Sequence, residues 1–219
     1  MEDVLSVYQR PLDGKRPLVC LDEASKQLLS DARPALAMAP KTDQKPGQPL
    51  RQDSEYVRNA TASLFMVSEP LAGRRHVHVT DQRTCLDFAH VVRHLVDVLH
   101  PAAEKIVLVM DNLNTHTPAS LYRAFVPAEA KRLADKLEVH YTPKHGSWLN
   151  MAEIELSVLA RQCLSERMND KENLQENLQK QVTAWQERRN ASTVTIDWRF
   201  TTDDARIRLK KLYPTILPG

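Results

Sequence analysis

KIVLVMDNLNTH (105–116) opens with five consecutive apolar residues, Ile106 to Met110, between Lys105 and Asp111. A run this short without polar alternation is a strand buried on both faces, which requires helices above and below the sheet. The flanking segments supply them. PLVCLD (17–22), ASLFMVSE (62–69), RRHVHVTD (74–81) and LEVHYT (137–142) are predicted strands, the middle two joined as a hairpin through PLAG. TCLDFAHVVRHLVDVLH (84–100) repeats apolar residues at helical spacing and stops at Pro101. One or two helices are expected over 118–137 with a break at Pro127, another over 150–165, and an amphipathic one over 170–189 carrying Leu174, Leu178, Val182 and Trp185. This order predicts an α/β fold with a mixed five-stranded sheet flanked by helices.

The remaining composition narrows the function. The 219 residues suit one domain spanning 1–219, and 42% hydrophobic with 26% charged residues excludes global disorder. A net charge of +2 makes any basic surface a local one. Cys20, Cys85 and Cys163 are odd in number and far apart, which fits reduced thiols in a cytosol. No leader pattern and no apolar run of membrane-spanning length occurs, so a soluble cytoplasmic protein with no membrane partner is expected. The five glycines form no phosphate loop, which disfavours a nucleotide cofactor. Residues 31–58 carry four prolines and little periodicity and are expected as a long loop. The basic segment 190–219 clusters Arg199, Arg206, Arg208, Lys210 and Lys211, equally suited to a solvated helix face and to phosphate contacts.

Side chains at the ends of parallel strands project into the ligand crevice. Asp22 closes PLVCLD and Asp111 closes KIVLVMD. Each alone is a common turn or cap residue, but on neighbouring strands the two carboxylates would repel unless a cation lay between them. Oxygen-only ligation suits Mg²⁺ or Mn²⁺. HGSWLNMAEIE (145–155) offers a third acid. On a helix starting near Asn150, Glu153 shares the apolar face of Leu149 and Leu156, whereas Glu155 lies roughly 200° around the helix and should face away. Glu155 is therefore expected to be solvated or to act indirectly, with Glu155→Gln nearly silent. Asn150 followed three residues later by Glu153 also fits a capping box.

DNLNTH (111–116), then Glu153 in SWLNMAE 42 residues after Asp111, with CLDE (20–23) upstream, resembles the bacterial insertion-sequence transposases of the mariner superfamily and their DNxxxH and LNxxE motifs. The resemblance covers about residues 16–214 and departs mildly at Met151, where the family often has proline. It implies a ribonuclease H-like fold and a DDE transposase with catalytic, metal-binding Asp22, Asp111 and Glu153. Two Mg²⁺ or Mn²⁺ ions, bridged by Asp22, would support hydrolysis at element ends and 3′-hydroxyl strand transfer into target DNA without a protein nucleophile. It also implies a likeness to dimerising enzymes, with 31–58 as the dimer segment. Such transposases carry N-terminal helix-turn-helix domains. Only 21 residues precede Asp22, so the chain is expected to be a catalytic domain alone, served by a separate helix-turn-helix polypeptide or left truncated, and bacterial and nucleoid-associated.

Several residues stay open at this level. His116 suits orientation of DNA or metal as well as a helix cap, and Asn112 suits the metal surroundings as well as the turn. Lys144 and His145 are placed at the cleft mouth for phosphate contact, with Asn150 beside them. Trp148 fits a core anchor or a base-stacking residue equally. His90 and His94 have the spacing of a helical zinc pair without a visible third ligand, and His76 and His78 share one strand face. The competing functions are a non-catalytic transposase remnant regulating transposition through DNA, and a free-standing ribonuclease H-like nuclease.

Overall fold

The structure, a computed structural model, describes residues 1–42, 45–51, 54–113, 115–165, 167 and 174–213. Its five strands are β1 (Leu18–Asp31), β2 (Tyr56–Glu69), β3 (Arg74–Thr80), β4 (Ile106–Met110) and β5 (Leu137–Tyr141). They lie in the order β3-β2-β1-β4-β5. β1, β2 and β3 pair antiparallel, and β1–β4 and β4–β5 pair parallel. This is the mixed, ribonuclease H-like sheet that was expected. All five residues of β4 are buried, as its uninterrupted apolar run requires.

Alternation along β1 divides the core in two. Leu18 and Cys20 face one side, with α1 (Glu2–Tyr8), α5 (Ala152–Gln162), α6 (Leu174–Ala191) and α7 (Thr202–Arg208). Val19 and Leu21 face the other, with α2 (Cys85–His94), α3 (Pro118–Ala124) and α4 (Pro127–Asp135). Local chemistry sets the helix starts. Thr84 and Asp87 form a capping box for α2, and Pro118 and Pro127 occupy the first turns of α3 and α4, where a missing N–H costs nothing. Leu174, Leu178, Val182 and Trp185 are all buried along α6. The expected start of that helix near Asp170 lies outside the described residues.

Three expectations change. β1 does not end at Asp22. It pairs with β4 only from Leu18 to Cys20, but β2 stays alongside to Asp31, so the backbone bonds of β1 remain satisfied and the strand continues. The proline-rich loop is correspondingly shorter, and isolated antiparallel bridges at Leu36↔Arg51, Ala39↔Gln48 and Thr42↔Lys45 draw it into an arm extending from β1 and β2. Helix α1 was not anticipated. Its seven residues are too few for a periodic signal, yet Val4, Leu5, Val7 and Tyr8 are buried. Among the described residues no helix is long and apolar enough to cross a membrane, and the three cysteines are free thiols.

Candidate active site

Asp22 stands on β1 just beyond its pairing with β4, 8% exposed, and its Oδ1 accepts the Glu23 N–H at 2.8 Å. Asp111 directly follows β4, and Glu153 lies half-buried in the first turn of α5. Burial pushes the Asp22 carboxyl up to about 7; the Glu23 N–H opposes this, and the negative charges of Asp111 and Glu153 reinforce it. Asp22 thus lies within electrostatic reach of both other acids.

Asn150 places the third acid. It is fully buried, its Nδ2 donates to the Leu21 carbonyl at 2.8 Å and its Oδ1 accepts the Ala152 N–H at 3.1 Å. The start of α5 is thereby tied to the residue preceding Asp22. Tyr8 adds a second tie, donating to the Leu149 carbonyl at 2.5 Å. The capping-box expectation fails, because Asn150 caps through Ala152 and no side-chain cap forms at Met151. The Glu153 carboxylate is left available to the cleft.

His116 is fully buried, with Nδ1 2.5 Å from Asp111 Oδ1 and Nε2 2.6 Å from Glu23 Oε2, the latter an ion pair out of line for a hydrogen bond. Burial alone would lower its pKa, but the hydrogen bond to Asp111 and the adjacent Glu23 carboxylate outweigh this and push it up to about 9, which favours the imidazolium at neutral pH. Its face packs on Phe88, 4.8 Å between centroids. Of the two readings of His116, the ring sides with the acids and makes no cap to α3. Glu23 escaped the sequence reading. Consecutive strand residues point to opposite faces, so an acid following Asp22 stands behind the cleft, and that alternation was the available signal.

Glu155 corrects an expectation. It is not solvated: it is fully buried, paired bidentately with Arg75 of the sheet strand β3 at 2.9 Å for both bonds and with Arg189 at 3.2 and 3.3 Å. Helical phase turns Glu155 away from the sheet, but the buried face of α5 is that of Ala152, Glu155 and Leu159, and Glu153 is only half-buried, because β3 and α6 supply guanidiniums for an acid on that face. Burial pushes its carboxyl up, and the two guanidiniums outweigh this and hold it below the ordinary value.

The other candidates are dispersed. Asn112 is exposed beside Asp111. Lys144 and His145 are exposed on the turn after β5 and line a largely apolar cavity of about 330 Å³ with Met1, Trp148 and Leu212, which none of the three acids lines. Trp148 is 45% exposed and packs on Trp198 and Phe200. In the basic C-terminal segment Arg199 pairs with Asp197, and Arg206 with Glu2 and Asp203. Residues 214–219 lie outside the described residues.

Sheet order and gathered acids define an α/β domain of the ribonuclease H-like class. A family model described as DDE superfamily endonuclease matches residues 17–175, a span that includes all three acids, and the chain belongs to that family. Among solved structures it is similar to a chain of the Mos1 strand transfer complex, at 15% identity and TM-score 0.49 over 89% of this chain and 59% of that one. It is also similar to a chain of the simian T-cell lymphotropic virus intasome in complex with PP2A regulatory subunit B56 gamma, at 8% identity and TM-score 0.45 over 96% and 61%. The chain spans about three fifths of the length of each. At these scores neither likeness carries function to this chain. A comparison with the curated proteins finds no match.

Proposed function

We propose that this chain is the catalytic part of a bacterial insertion-sequence transposase of the mariner type, cleaving DNA at element ends and joining the 3′-hydroxyl to target DNA. The observation that carries this reading is that the parallel register of β1 and β4 sets Asp22 beside Asp111 while Asn150 ties the start of α5, and so Glu153, to Leu21; burial and the two acidic neighbours raise the Asp22 carboxyl accordingly. Such crowding is relieved by a cation, and an oxygen-only donor set fits Mg²⁺ or Mn²⁺. Asp22, Asp111 and Glu153 would hold two such ions. When bound, the ions supply activation of the attacking oxygen and stabilisation of the leaving oxygen in in-line substitution at phosphorus.

The chain's own residues prepare that site. His116 holds one oxygen of Asp111 and is backed by Glu23, which fixes the carboxylate's orientation. Asn150 keeps Glu153 in register with β1. Lys144, His145 and Asn112 are exposed for contact with DNA. The arm exposes Leu36, Met38 and Leu50, which supports a dimer contact there. Recognition of the element's ends is assigned to a helix-turn-helix segment or polypeptide beyond these residues.

The test is cleavage of element-end DNA, RNA:DNA hybrid and unrelated duplex with Mg²⁺ or Mn²⁺, beside Asp22→Asn, Asp111→Asn and Glu153→Gln. Metal-dependent cutting at the element end that each substitution abolishes is the expected result. Cutting that depends on metal yet survives any of the three overturns the mechanism. Preference for the hybrid would indicate a ribonuclease H-like nuclease, and DNA binding without cutting a regulator of transposition.

A further inference from the structure

A second group of chemistry-bearing side chains lies outside the carboxylate cleft. His76 and His78 alternate along β3 on the face toward α2, and His94 ends α2. Their ring centroids are 4.4, 4.7 and 4.8 Å apart. One ligand atom from each lies within 4.8 Å of the other two. Nε2 of His78 and of His94 is buried without a hydrogen-bond partner. An orphaned ring nitrogen costs free energy, and two within one cluster of three imidazoles need a reason. Burial, reinforced by the neighbouring imidazoles His76 and His94, lowers His78 to about 3, and burial lowers His76 and His94 as well. All three are therefore neutral, the form that binds metal.

The surroundings leave the cluster a place for a further ligand. A cavity of about 310 Å³ opens above His78 and His94. Of the acids that line it, Asp97 is held through both oxygens by Arg132 at 2.8 and 2.9 Å, and Asp87 caps α2 through Thr84. On the other side Gln186 accepts the Val77 N–H at 2.8 Å, and its Nε2 stands 3.5 Å from His76 Nδ1. Immediately after His94 the chain enters a π-helical turn, Leu95–Leu99, a geometry frequent at functional sites.

We propose that His76, His78 and His94 bind one transition-metal ion of borderline softness, Zn²⁺ or its close relative Co²⁺, with the fourth position open to the cavity. Tetrahedral coordination at a Zn–N distance of about 2.0–2.1 Å sets ligand nitrogens roughly 3.4 Å apart, within reach of small ring rotations from the present spacing. Such an ion would fasten α2 to the edge strand β3. Nitrogen ligands separate this site chemically from the carboxylates, which favour Mg²⁺ or Mn²⁺. Sequence spacing pointed instead to His90 with His94, but the partners of His94 come from the strand.

The test uses the whole chain, stripped with a chelator and titrated with Co²⁺ and then Zn²⁺, following visible absorption and calorimetry. One equivalent of Zn²⁺ at micromolar affinity or tighter is expected, with Co²⁺ giving a tetrahedral spectrum that Zn²⁺ abolishes. His78→Gln and His94→Gln should each weaken binding by at least roughly 100-fold, beyond what loss of an outer-shell partner costs. Asp111→Asn and His90→Gln should leave it unchanged. Far-UV circular dichroism checks that the variants fold, and Zn²⁺ should raise the melting temperature of wild type and Asp111→Asn but of neither His78→Gln nor His94→Gln. Absence of Zn²⁺ uptake by wild type at millimolar metal, or uptake that survives both histidine substitutions, overturns the proposal.

Discussion

Glu155 and Arg75 are enclosed together, and removing Glu155 leaves the Arg75 charge in a low-dielectric interior. Breaking a buried pair of this kind costs about 3–5 kcal/mol. Glu155→Gln should lower stability by that amount in urea denaturation, while Glu153→Gln, which breaks no such pair, should leave stability near wild type. The pH dependence follows from the same contacts. The folded pKa of Glu155 lies below its ordinary value of 4.5, so its contribution is present above that pH and is lost as pH falls through the folded value. Acid unfolding of Glu155→Gln should accordingly be shallower than that of wild type. Asn150 acts differently, as a tether. Asn150→Ala removes the donor to Leu21 and the acceptor for Ala152 and should cost about 1–3 kcal/mol. Metal-dependent cleavage per folded molecule should also fall, since Glu153 loses its register with β1, and activity assays normalised to folded protein would check this.

Among the elements, the β2–β3 hairpin links the sheet to the C-terminal part of the chain. Gly73 has φ +65, and a Cβ there would come within 2.6 Å of the Thr193 carbonyl group. Arg75 donates to the Gly73 carbonyl at 2.7 Å, so this turn also supports the guanidinium facing Glu155. Left-handed backbone costs an L-residue about 1–2 kcal/mol, and the contact with Thr193 adds to it. Gly73→Ala should therefore destabilise by more than that range, measured as a fall in the denaturation midpoint. The sequence reading located this hairpin, α2, and the break between α3 and α4, because glycine, proline and capping residues act on their own neighbours. It missed α1, whose burial depends on contacts far along the chain, including the bond from Tyr8 to Leu149.

For the molecule as a whole, the described residues of the arm are mostly exposed. Replacing residues 34–54 with a short Gly-Ser turn should leave the sheet and its melting intact, since the arm lies beyond the paired strands. Under the proposed function it should abolish dimerisation on element-end DNA, measured by light scattering, and a dimer that persists would remove the arm from that role. By itself the sequence determined the central strand and the acids near its end, because an uninterrupted apolar run is a local signal of burial; it did not determine the buried face of α5, which carries Glu155 and not Glu153. Tertiary structure decided what stands opposite each buried side. β2 carried β1 past Asp22, His116 joined Asp111 to Glu23, and Arg75 met Glu155 across 80 positions of sequence. His94 found His76 and His78 on another element for the same reason: periodicity orients a side chain, whereas strand register and helix packing choose its partner.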